Sequence, residues 1–457
     1  MSVPVLDLDL VPPLGEPRPQ PALEATTTTL PSGLTLVVVP RPGVPLVELR
    51  LRVPFAATSP RGAAQHGARA SVLSGAVLLG TARRDATGVA EALQGHGAEL
   101  SVSADPDRLL FSTTLLAEGL VPVLDVLAEV LTAASYPGDR VEAERDRVAE
   151  RIAIARSQPG VVARTALAAR RYGTHPYAVQ IPPPELVARV GAPALRKLHR
   201  ERVLPTGSTL VLVGDLDAAA ATDAVATALG EWTGEGTAAV APPAPTLAPG
   251  HLEVVDRPGA VQSNIRLGGP APGRTDPDLP AVRLASMVFG GYFSSRLVGN
   301  IREQRGYSYS PRSGVDHLAA ASSFTVEADV ATEVTGAAFL ETWAELGRMA
   351  LAPVTEAELD AARRYVLGSM ALSTATHAGL AGTVSALAGS GLPVEWLAEH
   401  QAALAAVTVE QVQEAARRYL APASLTAVVV GDAERVTDPL RALGPVDVTA
   451  SAAGAPA

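Results

Sequence analysis

The chain of 457 residues contains one pattern twice. Arg41-Pro42-Gly43 recurs as Arg257-Pro258-Gly259, 216 positions on. In the same frame Arg50-Leu51 falls on Arg266-Leu267, and Pro54 on Pro270. A helix start, Asp139-x-x-Glu142, returns as Thr355-x-x-Glu358. Both read as capping boxes, in which a side-chain acceptor meets the backbone N–H three residues on. Pro205 with Leu210-Val211-Leu212-Val213-Gly214-Asp215 returns as Pro422 with Ala427-Val428-Val429-Val430-Gly431-Asp432, at an offset of 217. Anchors this widely spread, with a drift of one residue, mark a tandem duplication of a module of about 200 residues. Whatever fold the first copy takes, the second must take as well.

Within each module short β-branched runs alternate with Ala-, Leu- and Arg-rich stretches. Leu34–Val39 and Val47–Val53 are expected strands around a Pro-Gly turn. Leu109–Leu116 reads as a strand, Gly119–Thr132 as the helix after it, and Val141–Arg156 as an amphipathic helix. Leu210–Val213 reads as a buried strand. These elements predict an α+β fold: two tandem homologous α/β-sandwich modules, each a mainly antiparallel sheet with helices on one side. The first module spans 25–234 and the second 250–446, joined by a Pro/Ala/Gly linker at 235–249. Residues 1–24 read as a Pro-rich arm and 447–457 as a flexible tail.

A hydrophobic fraction of 47% suits globular folding, and a net charge of −10 argues against nucleic acid as a partner. With no cysteine, disulfides and thiolate metal ligands are excluded. The N-terminus lacks the basic and apolar regions of a secretory signal, and no apolar run is long enough to span a membrane; Ala378–Gly391 reads as a packed helix. A cytoplasmic, membrane-free protein is expected, and the Ala/Arg/Gly/Pro bias suggests a GC-rich bacterial source. None of the eight His stands three or four residues from another. His66 reads as a loop residue, His96 as a turn residue and His175 as structural.

The stretch Phe289–Ser310 resembles the C-terminal half of the pitrilysin-like M16 (M16B) zinc peptidases, where the wording runs SSRLF…LREKRGLAYS. Ser294-Ser295-Arg296-Leu297, Ile301-Arg302-Glu303, Arg305-Gly306 and Tyr309-Ser310 fall on that pattern. The first module is similar over Gly97-Ala98 and Ser103-Ala104-Asp105 to Asp107, with Leu100-Ser101 where the family often has Asn-Ala. The family's metal site is HxxEH followed by Gly-Thr, with a ligand Glu about 75 residues on. Counting back from Gly80-Thr81, this chain reads Ser71-Val72-Leu73-Ser74-Gly75 there. Counting back from Pro159, Arg151 stands at the ligand Glu, with Glu150 one position off. The expectation is no metal site and no cofactor in this chain.

The resemblance implies the fold of LuxS and the mitochondrial processing peptidase. It also implies a clamshell of four modules around an unfolded peptide. In two-chain members one chain carries HxxEH and the other the Arg/Tyr pair. This chain is thereby expected to be the non-zinc subunit of a heterodimer with an HxxEH-bearing M16B homologue, which would hold the zinc. Arg302 and Tyr309 would be its catalytic residues in trans and, with Gly290 and Gly291, would contact peptide. The glycines also read as a tight turn, Arg296 as bonded to nearby backbone, and Arg305 as solvated. Tyr307, if the segment is extended, is expected to face away from Tyr309 and pack. Two other readings stay open: a structural or assembly protein that has lost peptidase function, and a peptide-binding module acting alone.

Overall fold

A computed structural model describes residues 23–450. The first sheet contains β1 (Thr26–Thr29), β2 (Thr35–Pro40), β3 (Leu46–Pro54), β4 (Ser101–Ala104), β5 (Arg108–Leu116) and β6 (Thr209–Gly214). The second contains β7 (Leu252–Asp256), β8 (Gln262–Pro270), β9 (Arg312–His317), β10 (Ser322–Ala331), β11 (Thr426–Gly431) and β12 (Val446–Ala450). Their orders are β1-β2-β6-β3-β5-β4 and β12-β7-β11-β8-β10-β9. Five of the six positions correspond strand for strand, and β3 maps onto β8 at the 216-residue offset. The strands at one edge differ: β1 is antiparallel to β2, whereas β12 runs parallel to β7. Most pairings are antiparallel, as expected; β2 with β6 and β7 with β11 are parallel.

Each central strand is buried on both faces. Along β2 and β6, Leu36, Val38, Leu210 and Leu212 face the core beneath the first module's helices. Val37, Val39, Val211 and Val213 alternate with them and form a separate cluster. The period of two makes this division unavoidable. The second cluster is completed by Leu380, Ala381 and Val384 of the helix His377–Ala388, which belongs to the other module. The reverse also holds. Ala163 and Leu167, on the first module's helix Pro159–Tyr172, pack on Val255, Val428 and Val430 of the second sheet. So each module covers one side of its sheet with its own helices and receives a helix from its copy on the other.

The duplicated Arg-Pro-Gly turns bond across the same junction. Arg41 donates to the carbonyls of Thr374 and Ala375 at 2.7 and 3.1 Å. Arg257 donates to the carbonyl of Ser157 at 2.8 Å. Those carbonyls lie at the ends of equivalent helices, where intrahelical donors run out. The hairpin turn between β9 and β10 also docks on the first module. Ala319 N–H donates to Asp107 Oδ2 at 2.7 Å, Tyr177 donates to Asp107 Oδ1 at 2.5 Å, and Ala320 N–H donates to the Tyr177 hydroxyl at 3.0 Å. The linker is irregular except for a bridge between Phe55 and Ala239, and buried His175 bonds the Pro242 carbonyl at 2.9 Å. That is the structural role expected of His175.

Several local expectations need correction. The Asp139 capping box does not form: the helix Gly138–Ser157 starts one residue before Asp139, with Pro137 at its N-cap. The Thr355 box forms in full. His66 lies on the helix Ala63–Ala76, its Nε2 2.6 Å from the Phe55 carbonyl, instead of in a loop. Residues 446–450, assigned to the tail from 447, pair with β7, because Val446 and Val448 alternate with polar residues along an edge that would otherwise be open. The rest of the tail, and the arm before residue 23, lie outside the described residues. Among the described residues no helix is long and apolar enough to cross a membrane.

The exchanged helices carry a stability test. Leu380 is fully buried against the sheet of the other module. Leu380→Ala is expected to cost about 2–5 kcal/mol, and denaturant melts should still show one transition, since neither sheet is covered without the other module. Two separated transitions in wild type would show the modules to be independent.

Candidate functional site

The helix Leu279–Ser286 runs on through a wider π-type turn, Met287–Gly291. This replaces the tight turn expected at the two glycines. Gly290 is buried, and a Cβ there would lie 3.0 Å from Ser313 Oγ and 3.1 Å from its backbone nitrogen. A side chain at Gly291 would lie 2.8 Å from Met287 Sδ. The glycines therefore admit the edge strand β9 and the chain's own helix. A second π-type stretch, Val298–Gln304, buries Ile301 and leaves Arg302 at the rim. Gly306, at φ +65°, ends it in the left-handed conformation that glycine tolerates.

Beyond Gly306 the chain turns sharply. The N–H groups of Tyr307 and Ser308 both donate to the Ile301 carbonyl, at 2.7 and 3.2 Å. Tyr307 packs on the second module's core. Ser308 is buried, bridges to Val330 and donates to the Asp329 carbonyl at 2.8 Å. Tyr309 is 83% exposed. Tyr307 thus packs as expected, but strand alternation is not the reason. Residues two apart on a strand share a face; this segment is a turn pinned by Ser308.

Arg302 and Tyr309 do meet. The Arg302 guanidinium carbon lies 4.9 Å from the Tyr309 ring centre and 4.8 Å from that of Phe293. Its Nε is 3.1 Å from Glu303 Oε1. A cation between two rings gains from both quadrupoles, so the pair is a three-member stack with Phe293. Phe293 is 60% exposed, and like Tyr309 it stands open to solvent. The sequence alone does not single out Phe293; its one signal there is an aromatic between Gly290-Gly291 and Ser294-Ser295. Two residues past Tyr309 stands Pro311, and then β9 begins, the terminal strand of its sheet.

The surrounding ion pairs fix the segment. Arg296 is not bonded to backbone; its Nε and Nη2 donate to the two oxygens of Glu358, at 2.6 and 2.9 Å. Glu358 is the capping-box residue and also accepts from Thr355 N–H at 2.8 Å. The Arg296 pair, with the cap bonds, holds the Glu358 carboxyl down at about 2. Arg305, expected to be solvated, bonds Asn300 Oδ1 at 2.9 Å and pairs with Glu341 at 2.7 Å.

The place of the lost metal motif lies on the helix Ala63–Ala76. Ser71 Oγ donates to the Gly67 carbonyl at 2.8 Å, and Ser74 Oγ to the Ser71 carbonyl at 3.0 Å. Both hydroxyls are engaged by their own helix. A Cβ on Gly75 would collide with the carboxylate of Glu144, which is buried and paired with Arg147 at 2.6 Å. Arg151 and Glu150 are exposed on the helix Gly138–Ser157. Two helix-bonded hydroxyls, a glycine and a guanidinium do not fit a zinc ion. Among the described residues no three His, Asp or Glu converge to hold a metal. Sequence counting did not identify Glu144, because a carboxylate facing a glycine leaves no mark in one sequence.

Two family models match the chain: "Insulinase (Peptidase family M16)" over residues 70–185 and "Peptidase M16 inactive domain" over 189–366. A Mycobacterium tuberculosis protein called an uncharacterized zinc protease is 28% identical over 412 residues, spanning 88% of this chain and 92% of that protein. A Streptomyces coelicolor protein of the same description is 26% identical over 308 residues, 66% of each chain. The crystal structure of a peptidase M16 inactive domain from Pseudomonas fluorescens is similar with a TM-score of 0.81 and 25% identity, covering 90% of this chain and 98% of that one. A protease from Helicobacter pylori shares the fold at the same TM-score and 18% identity, covering 90% of this chain and all of that one.

The Arg296–Glu358 pair makes an acid-stability prediction. Its folded carboxyl is depressed, so its contribution is full above the ordinary value of 4.5 and is lost as pH falls towards about 2. Glu358→Gln should flatten that limb of a Tm-against-pH curve and leave the limb above pH 5 parallel to wild type. An unchanged acid limb would show the pair to be energetically silent.

Proposed function

The chain belongs to the M16 peptidase family, and from that premise we propose that it is the non-metal-binding subunit of a two-chain peptidase. Arg302 and Tyr309 serve an active site completed by an HxxEH-bearing homologue, which holds the zinc. The observation that carries this reading is the exposed stack of Phe293, Arg302 and Tyr309. The Tyr309 ring, 83% exposed, lies over the Arg302 guanidinium and leaves its hydroxyl open to a ligand. A guanidinium and a phenol held together can donate to the oxygen that becomes negative as a peptide carbonyl turns tetrahedral. The rings keep Arg302 in place before substrate arrives, so little reorganisation is left for the reaction.

The surroundings suit a peptide. Tyr309 stands next to β9, and β4 is the terminal strand of the other sheet. An extended peptide can add to such an edge through main-chain hydrogen bonds, which gives affinity with loose sequence preference. Gly290 acts here through β9, since its missing side chain sets where that strand runs, and Gly291 leaves room for Met287 of its own helix. Peptide degradation or removal of a leader segment would both use this arrangement, in a cytoplasmic setting.

A purified chain is expected to carry no stoichiometric zinc and to cleave no peptide alone. Mixed with the HxxEH homologue from the same genome, it should form a heterodimer that gains activity. In that heterodimer Arg302→Ala or Tyr309→Phe should lower kcat by roughly 10²–10³ with assembly intact. A rise in KM at constant kcat would assign the pair to holding substrate backbone. Tyr307→Phe is the control, since Tyr307 packs on the core. Full activity of the homologue without this chain, or one tightly held zinc in this chain, would overturn the proposal.

A further inference from the structure

A cavity of about 250 Å³ lies on the far side of β9 from the second module's ion-paired surface, lined by Arg274, Arg283, Met287, Val315, His317, Trp396 and His400 among others. Its charges are of one sign. Arg274 is half-buried, its Nε is sealed from solvent without a hydrogen bond, and it has no ion-pair partner among the described residues. Arg283 bonds through Nη1 to His400 Nε2 at 3.1 Å and has no carboxylate partner among the described residues. His400 is buried and stacked on Trp396, with ring centres 4.4 Å apart. Because its Nε2 accepts from Arg283, it is neutral in this arrangement. His317 bonds Ser322 Oγ through Nδ1 at 2.7 Å. Burial and the two guanidinium groups push both imidazoles down to about 4.

The nearby acids face elsewhere. Asp278 pairs with Arg418 and Tyr419, Asp276 accepts from the Asp278 N–H, and Asp316, on the opposite face of β9, accepts from Thr325. Burial lowers the basicity of both guanidinium groups, and Arg274 lowers that of Arg283 further; with no carboxylate paired to either among the described residues, they are costly to fold. Other buried guanidinium groups of this chain have a carboxylate partner or one nearby: Arg266 pairs with Asp329 and Arg296 with Glu358, while Arg52 feels Asp105 and Asp107 and Arg171 feels Asp316.

We propose that this cavity binds a phosphate-type dianion between Arg274 and Arg283. Net charge selects the ligand class. The site carries two positive charges, since both imidazoles are neutral; a phosphate group at neutral pH balances them, whereas a carboxylate leaves one over. The volume is ample for one such group, and Trp396 forms an apolar wall beside it. The planar forks of two arginines offer the paired donors that phosphate oxygens accept. This inference does not rest on the peptidase reading: it concerns an anion bound by the chain alone, without a partner or a metal.

The test is calorimetric titration of the full chain, purified without phosphate, with inorganic phosphate against chloride at matched ionic strength. One phosphate per chain is expected, with a Tm that keeps rising with each tenfold increase in phosphate. Adenosine 5′-phosphate in parallel distinguishes the free ion from an ester: equal affinity points to the ion, tighter binding to an ester. Arg274→Gln should weaken binding about tenfold or more. In phosphate-free buffer it should be at least as stable as wild type, because it removes a buried charge that lacks an acid. Arg283→Gln also disturbs His400, so Arg274→Gln is the deciding variant. No phosphate effect beyond chloride, or wild-type affinity in folded Arg274→Gln, would overturn the proposal.

Discussion

The exchange of one helix between the two halves is the constraint on which the rest depends. A β-sheet whose central strands read as unbroken apolar runs must be covered on both faces. Each half supplies enough helix for one face only. Pro159–Tyr172 and His377–Ala388 complete the job reciprocally, with Ala163 and Leu380, and Leu167 and Val384, at equivalent places. The duplication therefore yields one body with an approximate two-fold relation, in which each copy is the other's missing layer. Arg41 and Arg257 tie the ends of that exchange by capping helix carbonyls across the junction. A module cut from this chain would expose Val37, Val39, Val211 and Val213 together, an apolar patch that water does not tolerate.

Much of this was legible in the sequence, for reasons that can be named. Val211 and Leu212 both sit in an unbroken apolar run, which announces a strand buried on two faces. The run does not say what lies on the second face, since period-two patterning encodes burial and not the identity of the neighbour. The Arg-Pro-Gly repeats were visible as repeats, while their bonds to Thr374 and Ser157 were not, because main-chain acceptors leave no sequence signal. Thr355 and Asp139 show the same limit from the other side. Both start an x-x-Glu pattern, but at Asp139 the preceding proline already sets the N-cap, so the helix begins too early for the box to close.

At the candidate site the residues were legible and their posture was not. The spacing of Arg302 and Tyr309 gives no hint that Phe293 completes a stack around the guanidinium, or that Ser308 pins the turn that throws Tyr309 outward. Arg296 was readable as structural, but its partner is a carboxylate 62 positions on, which only the fold brings near. The Arg274–Arg283 cavity was not readable at all. Two arginines nine apart are ordinary in a chain of net charge −10, and only the lack of a carboxylate beside them among the described residues makes them unusual.

The duplication also relates the lost metal motif to the glycine pair. The 216-residue offset carries Ser71 to Met287, Ser74 to Gly290 and Gly75 to Gly291. Both sets fall on equivalent helices, Ala63–Ala76 and the run from Leu279 through Gly291. In each copy the last turn of that helix holds small residues because something presses close: the Glu144 carboxylate at Gly75, and the strand β9 at Gly290. A histidine at Gly75 would have to displace Glu144, and one at Gly290 would have to displace β9. The Glu144 carboxylate is the end of a flexible side chain and can swing aside, whereas at Gly290 the neighbour includes the backbone of β9. The second copy has turned the equivalent closeness to a different use: by drawing β9 against the helix it fixes where the edge strand starts, and so where Tyr309 stands beside Arg302.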